Sequence, residues 1–162
     1  MRLAVLVASL LALPTIAAPH VMDAWVRALP ASAPTSAAFL TLHNPDKTAN
    51  ALVAASSSAA GRIELHRHEL RDGVVQMRQL SEIALPAGEQ VTLAPGGLHL
   101  MLLDLKQPLV AGQSIDLTLK FADGSEQELR APITKASRYH SVAADEHHHH
   151  HQDAADEQHH HH

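Results

Sequence analysis

Apolar and polar residues alternate in short runs between residues 21 and 133, and turn residues separate one run from the next. The run from Ser114 to Phe121 shows the pattern most clearly, because every second residue in it is apolar. Such alternation predicts a strand with one buried face and one face in water. Nine strands are predicted in this way, over residues 21–27, 37–43, 51–55, 62–70, 74–80, 90–93, 98–105, 114–121 and 126–133.

The spacing of these runs also predicts the fold class. Residues with turn propensity, such as Asn44-Pro45-Asp46 and Pro95-Gly96-Gly97, lie between many of the runs, and no helix of usable length is predicted after residue 17. Many short strands at such spacing are typical of a sandwich or barrel. We therefore predict an all-β, Greek-key β-sandwich or barrel of one domain, residues 18–140.

A hairpin is predicted between the strands at residues 62–70 and 74–80. Asp72-Gly73 lies between two alternating segments, which is a strong signal for a two-residue turn. With this turn, His68 lies opposite Met77, and His66 is the diagonal neighbour of Met77 on the same face. The hairpin therefore places two imidazoles and one thioether where they could bind one metal ion.

The strand at residues 98–105 offers a second pair of such side chains. His99 and Met101 are two residues apart in an otherwise apolar run, so both project from one face of the strand. Leu98, Leu100 and Leu102 are predicted to fill the opposite face. Imidazole and thioether side by side are typical of a site for a soft metal ion.

The four residues His66, Met77, His99 and Met101 have a characteristic spacing. Ten residues separate the first two, twenty-one separate Met77 from His99, and one separates His99 from Met101. This pattern resembles the His-x10-Met-x21-His-x-Met signature of the periplasmic copper chaperones called PCu(A)C. The likeness extends from about residue 23 to the strand near Leu117.

The resemblance implies a cupredoxin-like sandwich and a Cu(I) site formed by the same four residues. It also implies a client, the copper A domain of cytochrome c oxidase subunit II, reached directly or together with a Sco-type thiol protein. His68 is not part of the signature, and it stays open as an auxiliary ligand.

The absence of cysteine agrees with this choice of ligands. The chain has no Cys, so soft-metal binding depends on Met, and a blue-copper electron-transfer site, which needs a Cys ligand, is excluded. Cu(I) is soft and prefers thioether and imidazole to carboxylate. We expect a non-enzymatic, monomeric protein.

The first 17 residues are predicted to be a signal peptide. Arg2 precedes an apolar run from Leu3 to Leu13, which is too short to span a membrane, and small residues follow it. Cleavage after Ala17 would make Ala18 the mature N-terminus and would place the protein in the periplasm.

Residues 141–162 form an acidic, His-rich segment of low complexity. The chain has 17 acidic and 12 basic residues, and five of the acidic residues but none of the basic ones lie in this segment. The rest of the chain therefore has equal numbers of acidic and basic residues, which does not resemble a nucleic-acid-binding surface. We predict a disordered natural tail, with a cloning tag as the alternative. Its imidazoles suit Cu(II), Zn and Ni, and they are His147, His148, His149, His150, His151, His159, His160, His161 and His162.

Two other functions are compatible with these features. One is periplasmic metal storage or resistance, in which the tail sequesters divalent ions. The other is an adhesion-type β-sandwich whose metal ligands are incidental.

Near the N-terminus, Met22 is predicted to lie in the core, and the alternative is that its thioether lies near the metal site. Trp25 and Arg27 are predicted to share one face of their strand.

Overall fold

The computed structural model describes residues 18–135. The predicted signal peptide and the His-rich tail lie outside the described residues, as do residues 136–140 of the predicted domain. Neither boundary is tested by the fold, and both stay predictions.

The described chain forms ten strands, and no helix occurs within residues 18–135. The all-β prediction is confirmed. The strands are β1 (His20–Arg27), β2 (Thr35–His43), β3 (Asn50–Ser56), β4 (Ala60–Arg71), β5 (Val74–Leu80), β6 (Ile83–Leu85), β7 (Gln90–Leu93), β8 (Leu98–Leu105), β9 (Ser114–Phe121) and β10 (Glu126–Thr134).

Nine of these strands match the predicted segments, and β6 was not predicted. Only three residues form β6, with Ile83 and Leu85 buried on either side of an exposed Ala84. Three residues are too few for a periodic pattern to be recognised. The pairing of β6 with β3 therefore depends on the tertiary structure.

The strands form one open sheet in the order β5-β4-β8-β2-β1-β10-β9-β3-β6, and β7 pairs with β2 beside this path. The pair β1 and β10 is parallel, and the other pairs are antiparallel. Strand β5 therefore lies at one end of the sheet, next to β4, and β8 lies between β4 and β2. This order puts the predicted hairpin beside the strand that carries His99 and Met101.

One hydrophobic cluster forms the core. It collects buried side chains from every strand except β5, and its largest fully buried members include Leu102 of β8 and Phe121 of β9. Burying a side chain of this size stabilises the fold by roughly 1.5–3 kcal/mol. Because β5 contributes only Leu80, which is partly buried against this cluster, changes elsewhere in β5 should affect the fold less than changes in β8.

A bulge in β1 decides which side chains of that strand face the core. The register with β2 shifts between Met22 and Trp25, and Asp23 within the bulge has a φ of 52°. An extra residue reverses the alternation of faces, so Met22 and Trp25 both lie on the face opposite Val26. The prediction that Met22 lies in the core is wrong for this reason, since Met22 does not belong to the core cluster.

The predicted hairpin between β4 and β5 is confirmed. Asp72 and Gly73 have φ values of 52° and 78°, as a type I′ turn requires, and His68 pairs with Met77 as predicted.

No helix in the described part of the chain is long and apolar enough to cross a membrane.

Candidate metal site

The register of the central strands brings the predicted ligands to one face of the sheet. His66 of β4 lies opposite His99 of β8, and His68 lies opposite Met77 of β5. Met101 of β8 lies opposite Glu64. Directly opposed residues of antiparallel strands project from the same face, so all four predicted ligands share the face that points away from the core.

The side chains on this face lie close enough to form one site. The ring centroids of His66 and His99 are 5.8 Å apart, and those of His68 and His99 are 4.9 Å apart in a stacked arrangement. Met77, His99 and Met101 line one small cavity of about 160 Å³. The structure therefore brings His66, Met77, His99 and Met101 together and places His68 beside them.

Hydrogen bonds leave one ring nitrogen free on each of the two predicted imidazole ligands. Nδ1 of His99 donates to the carbonyl oxygen of Gly97 at 3.1 Å, so its Nε2 carries the lone pair. Nε2 of His66 donates to Oε2 of Glu64 at 2.9 Å. Within residues 18–135, Nδ1 of His66 and Nδ1 of His68 are buried without a hydrogen-bond partner. A buried nitrogen lone pair without a partner is costly, and a metal ion would satisfy it.

Burial and charge favour the neutral, ligating form of His99. Burial lowers the pKa of His99 below its ordinary value, the hydrogen bond to Gly97 opposes this, and the charges of His68, His66 and Arg27 lower the pKa further. The hydrogen bond from His66 lowers the pKa of Glu64, burial opposes that effect, and Arg62 lowers the pKa further. Glu64 therefore stays ionised at neutral pH.

The candidate ligands differ greatly in exposure. His99 is 3% exposed, whereas Met77 is 47% exposed. Met77 lies on the end strand of the sheet, whereas β8, which carries His99, is flanked by β4 and β2. The candidate site therefore extends from the interior of the sheet to its open edge.

An aromatic layer supports the buried end of the site. The rings of Trp25 and Phe39 are 4.5 Å apart, and the rings of Phe39 and His99 are 6.4 Å apart. The guanidinium of Arg27 lies over Phe39 at 5.3 Å and also borders the cavity with Met77. Trp25 and Arg27 thus share a face, as predicted, and Phe39 is the residue that Arg27 stacks on.

Sequence reasoning missed two residues of this site, Glu64 and Phe39. Glu64 precedes His66 by two residues, so the period of the strand was a signal that could have identified it. Phe39 lies in an apolar run, and no signal distinguished it from a core residue. In the described part of the chain, no group of three or more His, Cys, Asp or Glu could hold a metal ion. The candidate donor set combines imidazole with the two thioethers.

The fold and the site together define a cupredoxin-like β domain with a cluster of His and Met on one sheet face. Residues 20–133 match the family model described as "Putative lipoprotein LpqE-like". The chain therefore belongs to the LpqE-like family.

Two relatives cover most of the chain. "Putative lipoprotein Lxx21020" of Leifsonia xyli subsp. xyli is 41% identical over 115 residues, which are 70% of this chain and 68% of that protein. "Uncharacterized protein RP573" of Rickettsia prowazekii is 30% identical over 134 residues, or 80% of this chain and 74% of that protein.

Solved structures of PCuAC domains share the fold. The Cu(I) form of DR1885 from Deinococcus radiodurans is 32% identical, with a TM-score of 0.60, covering 72% of this chain and 77% of that one. The apo PCuAC domain of PmoF1 is 26% identical, with a TM-score of 0.63, covering 75% of this chain and 97% of that one. The copper-bound PCuAC domain of PmoF2 is 21% identical, with a TM-score of 0.64, covering 75% of this chain and 96% of that one. At this identity the likeness to PmoF2 shows the fold alone. The predicted resemblance to PCu(A)C proteins and the cupredoxin-like fold are confirmed.

Proposed function

We propose that this protein is an exported, non-enzymatic copper chaperone that binds one Cu(I) through His66, Met77, His99 and Met101. The observation that carries the proposal is the strand register, which brings two imidazoles and two thioethers from three strands to one face. His99 and both thioethers line one cavity, and the ring of His66 is 5.8 Å from the ring of His99. A structure that shares the fold at 32% identity is the Cu(I) form of DR1885. The family description and the name of one relative as lipoproteins support export.

The chemistry of the donor set favours Cu(I) over harder ions. Thioether sulfur and neutral imidazole nitrogen are ligands for soft, monovalent copper, whereas Mg and Ca require several oxygen ligands. The depressed pKa of His99 keeps this imidazole unprotonated and available. The proposed site is neutral, so the ion keeps its positive charge, and an anionic thiolate on another protein can attract it.

The proposed client is the copper A domain of cytochrome c oxidase subunit II, reached directly or together with a Sco-type thiol protein. Exposure supports a transfer step, because Met77 lies on the end strand of the sheet and is accessible to an incoming ligand. Leu70 and Val75 extend the same face toward the hairpin turn and are 74% and 66% exposed. A partner that approached Met77 would cover this apolar surface.

Cu(I) titration under reducing conditions tests the site directly. We expect one tightly bound Cu(I), with two sulfur ligands in the X-ray absorption spectrum. Met101→Leu preserves volume and removes one thioether, so it should weaken Cu(I) binding by about tenfold or more and cost the fold less than about 1.5 kcal/mol. Wild-type affinity in Met101→Leu would contradict the proposed ligand set.

Mixing experiments test delivery. Cu(I)-loaded protein mixed with the reduced apo copper A domain should transfer copper within minutes, and the reverse mixture should transfer almost none, because thiolates bind Cu(I) more firmly than thioethers. Copper that stays on this protein while the acceptor is reduced and competent would contradict the chaperone function.

Metal storage or resistance is a second candidate function, and nine of the fifteen His residues favour it because they lie beyond residue 140. In that case residues 141–162 would bind several Cu(II), Zn or Ni ions. Truncation after His140 should abolish most divalent binding and leave Cu(I) binding intact. Loss of Cu(I) binding in the truncated protein would contradict two independent sites.

A further inference from the structure

Glu64 lies beside the proposed copper ligands but is not one of the residues assigned to the metal. It is directly opposite Met101 across β4 and β8, and its side chain projects from the same face as His66. Its Oε2 accepts the hydrogen bond from Nε2 of His66, while its Oε1 is 3.1 Å from Nε of Arg62. Both carboxylate oxygens are therefore engaged by donors.

The position of the Glu64 carboxylate is supported by a second ion pair. Nη1 of Arg62 is 2.9 Å from Oδ2 of Asp104 on the neighbouring strand β8. Asp104 has a φ of 53°, and a Cβ at Gly61 would come within 2.8 Å of its Cβ. Such a close approach requires glycine at position 61. The chain of contacts thus runs from Asp104 through Arg62 to Glu64 and ends on the ring of His66.

We propose that Glu64 is a positioning residue that holds His66 with its proton on Nε2 and presents the lone pair of Nδ1 to copper. This inference rests on the proposed function. Metal-binding imidazoles commonly donate their second N–H to a carboxylate, which fixes the tautomer and the ring orientation and makes the ligating nitrogen more basic. The buried Nδ1 of His66, which has no partner among the described residues, is the nitrogen left for the metal.

The same contacts explain why Glu64 acts through His66 rather than by binding copper. A carboxylate is a poor ligand for soft Cu(I), and the Arg62 guanidinium offsets the charge of this one. If both oxygens stay bonded to donors, Glu64 adds no negative charge to the copper coordination shell. The bound ion then keeps the positive charge that favours its transfer to a thiolate.

The nitrogen that binds copper can be identified in the wild-type protein by NMR. Two-bond correlations between ring protons and ring nitrogens, on uniformly 15N-labelled protein, report which nitrogen of His66 carries the proton. We expect Nε2–H in the apo protein and in the Cu(I) form, with the Nδ1 resonance shifting when Cu(I) is added. Cu(I) bound to Nε2, with the proton on Nδ1, would overturn the proposal without any variant.

Three variants separate positioning from general structural support. Glu64→Leu removes the acceptor and should lower Cu(I) affinity by about 10- to 100-fold, as loss of such an outer partner typically does, and should give a mixture of His66 tautomers in the apo protein. Glu64→Gln keeps an acceptor oxygen and should retain the Nε2–H tautomer and most of the affinity. Glu69→Leu is the matched control, because Glu69 is on the same strand but on the face opposite His66, and its ion pairs are with Arg67 and Arg78. It should bind Cu(I) as the wild type does.

Met101→Leu, measured in parallel, distinguishes failure of the positioning role of Glu64 from failure of the proposed copper site. If Met101→Leu weakens Cu(I) binding and Glu64→Leu does not, the positioning role is wrong and the copper site stands. If neither weakens binding, the proposed copper site itself is wrong. An equal loss in Glu64→Leu and Glu69→Leu would also overturn the proposal, since both changes would then act through the strand rather than through His66.

Discussion

The two halves of the proposed site differ in how the sheet holds them. His99 is almost fully buried on β8, which pairs with β4 on one side and with β2 on the other. Met77 is half exposed on β5, which pairs only with β4 among the described strands. One ligand thus lies in a layer of rings and the other at an open edge.

This difference assigns separate tasks to the two halves. The ring of His99 is fixed by the Gly97 carbonyl and by contacts with Phe39 and His68, so it can bind a metal without first losing much conformational freedom. An exposed end strand opens locally at a lower free-energy cost than a central one. We therefore expect the β8 half to set the affinity for copper and the β5 half to govern its exchange with a partner. The following predictions test this division.

The largest effect is expected from the buried half. His99→Leu keeps an apolar side chain against Phe39 but removes the fixed imidazole, so Cu(I) affinity should fall by more than about 100-fold, beyond the typical effect of an outer-sphere change. Competition with a Cu(I)-specific chelator measures this. Leu103→Val, on the same face of the same strand, is the control and should bind copper normally. Equal affinity of His99→Leu and the control would remove His99 from the site.

A smaller effect is expected when the exposed thioether is moved by one residue. The double change Gln76→Met and Met77→Gln places the thioether on the opposite face of β5, because side-chain direction alternates along a strand. Cu(I) affinity should fall by about tenfold, since one soft ligand is lost. The thermal midpoint should hardly change, because Gln76 and Met77 are both exposed and neither packs on the core cluster.

X-ray absorption provides the direct readout of this exchange. The double variant should show one sulfur ligand where the wild type shows two. The single variant Gln76→Met, which keeps Met77, should retain both sulfur ligands and wild-type affinity. Two sulfur ligands in the double variant would contradict the register of β4 and β5 as the source of Met77 ligation.

The apolar surface beside Met77 should affect transfer rather than binding. Leu70→Ser with Val75→Ser makes the hairpin polar without touching a proposed ligand, so Cu(I) affinity should stay unchanged. Transfer to the reduced copper A domain should slow by about fivefold, as expected for losing roughly 1 kcal/mol of contact at an interface. Val110→Ser changes another exposed apolar residue, remote in sequence from the hairpin, and is the control. Equal transfer rates in all three proteins would exclude the hairpin from the docking surface.

The smallest effect concerns the stability of the apo protein in mild acid. Burial lowers the pKa of His99 in the folded state, whereas an unfolded His titrates near 6.5. As the pH falls below that value, the unfolded chain takes up a proton that folded His99 resists, so the free energy of unfolding decreases until the folded pKa is reached. The thermal midpoint should be lower at about pH 5.5 than at about pH 7.5.

His99→Gln isolates this contribution because it removes only that titrating group. The difference in thermal midpoint between the two pH values should be smaller in His99→Gln than in the wild type. Carboxyl groups with lowered pKa, such as Glu64 and Asp123, destabilise the fold only at more acidic pH. An identical pH dependence in both proteins would contradict the role of His99.

The amino-acid sequence by itself determined the local features of this protein. Alternation of apolar and polar residues identified nine strands, and Asp72-Gly73 identified both the turn and the pairing of His68 with Met77. These features depend on side-chain direction and on turn geometry, which act over a few residues. The spacing of His66, Met77, His99 and Met101 also indicated the family, because residue spacing can be read directly from the sequence.

Only the tertiary structure decided which strands distant in sequence become neighbours and which side chains are buried. The sequence showed that His99 and Met101 share a face, but the placement of β8 beside β4 is what puts His66 opposite His99 and Glu64 opposite Met101. Pairing between distant segments follows from packing around a common core, to which nine strands contribute. The burial of His99, the bulge that turns Met22 from the core, and the hydrogen bond from His66 to Glu64 all depend on those distant neighbours, which no local pattern encodes.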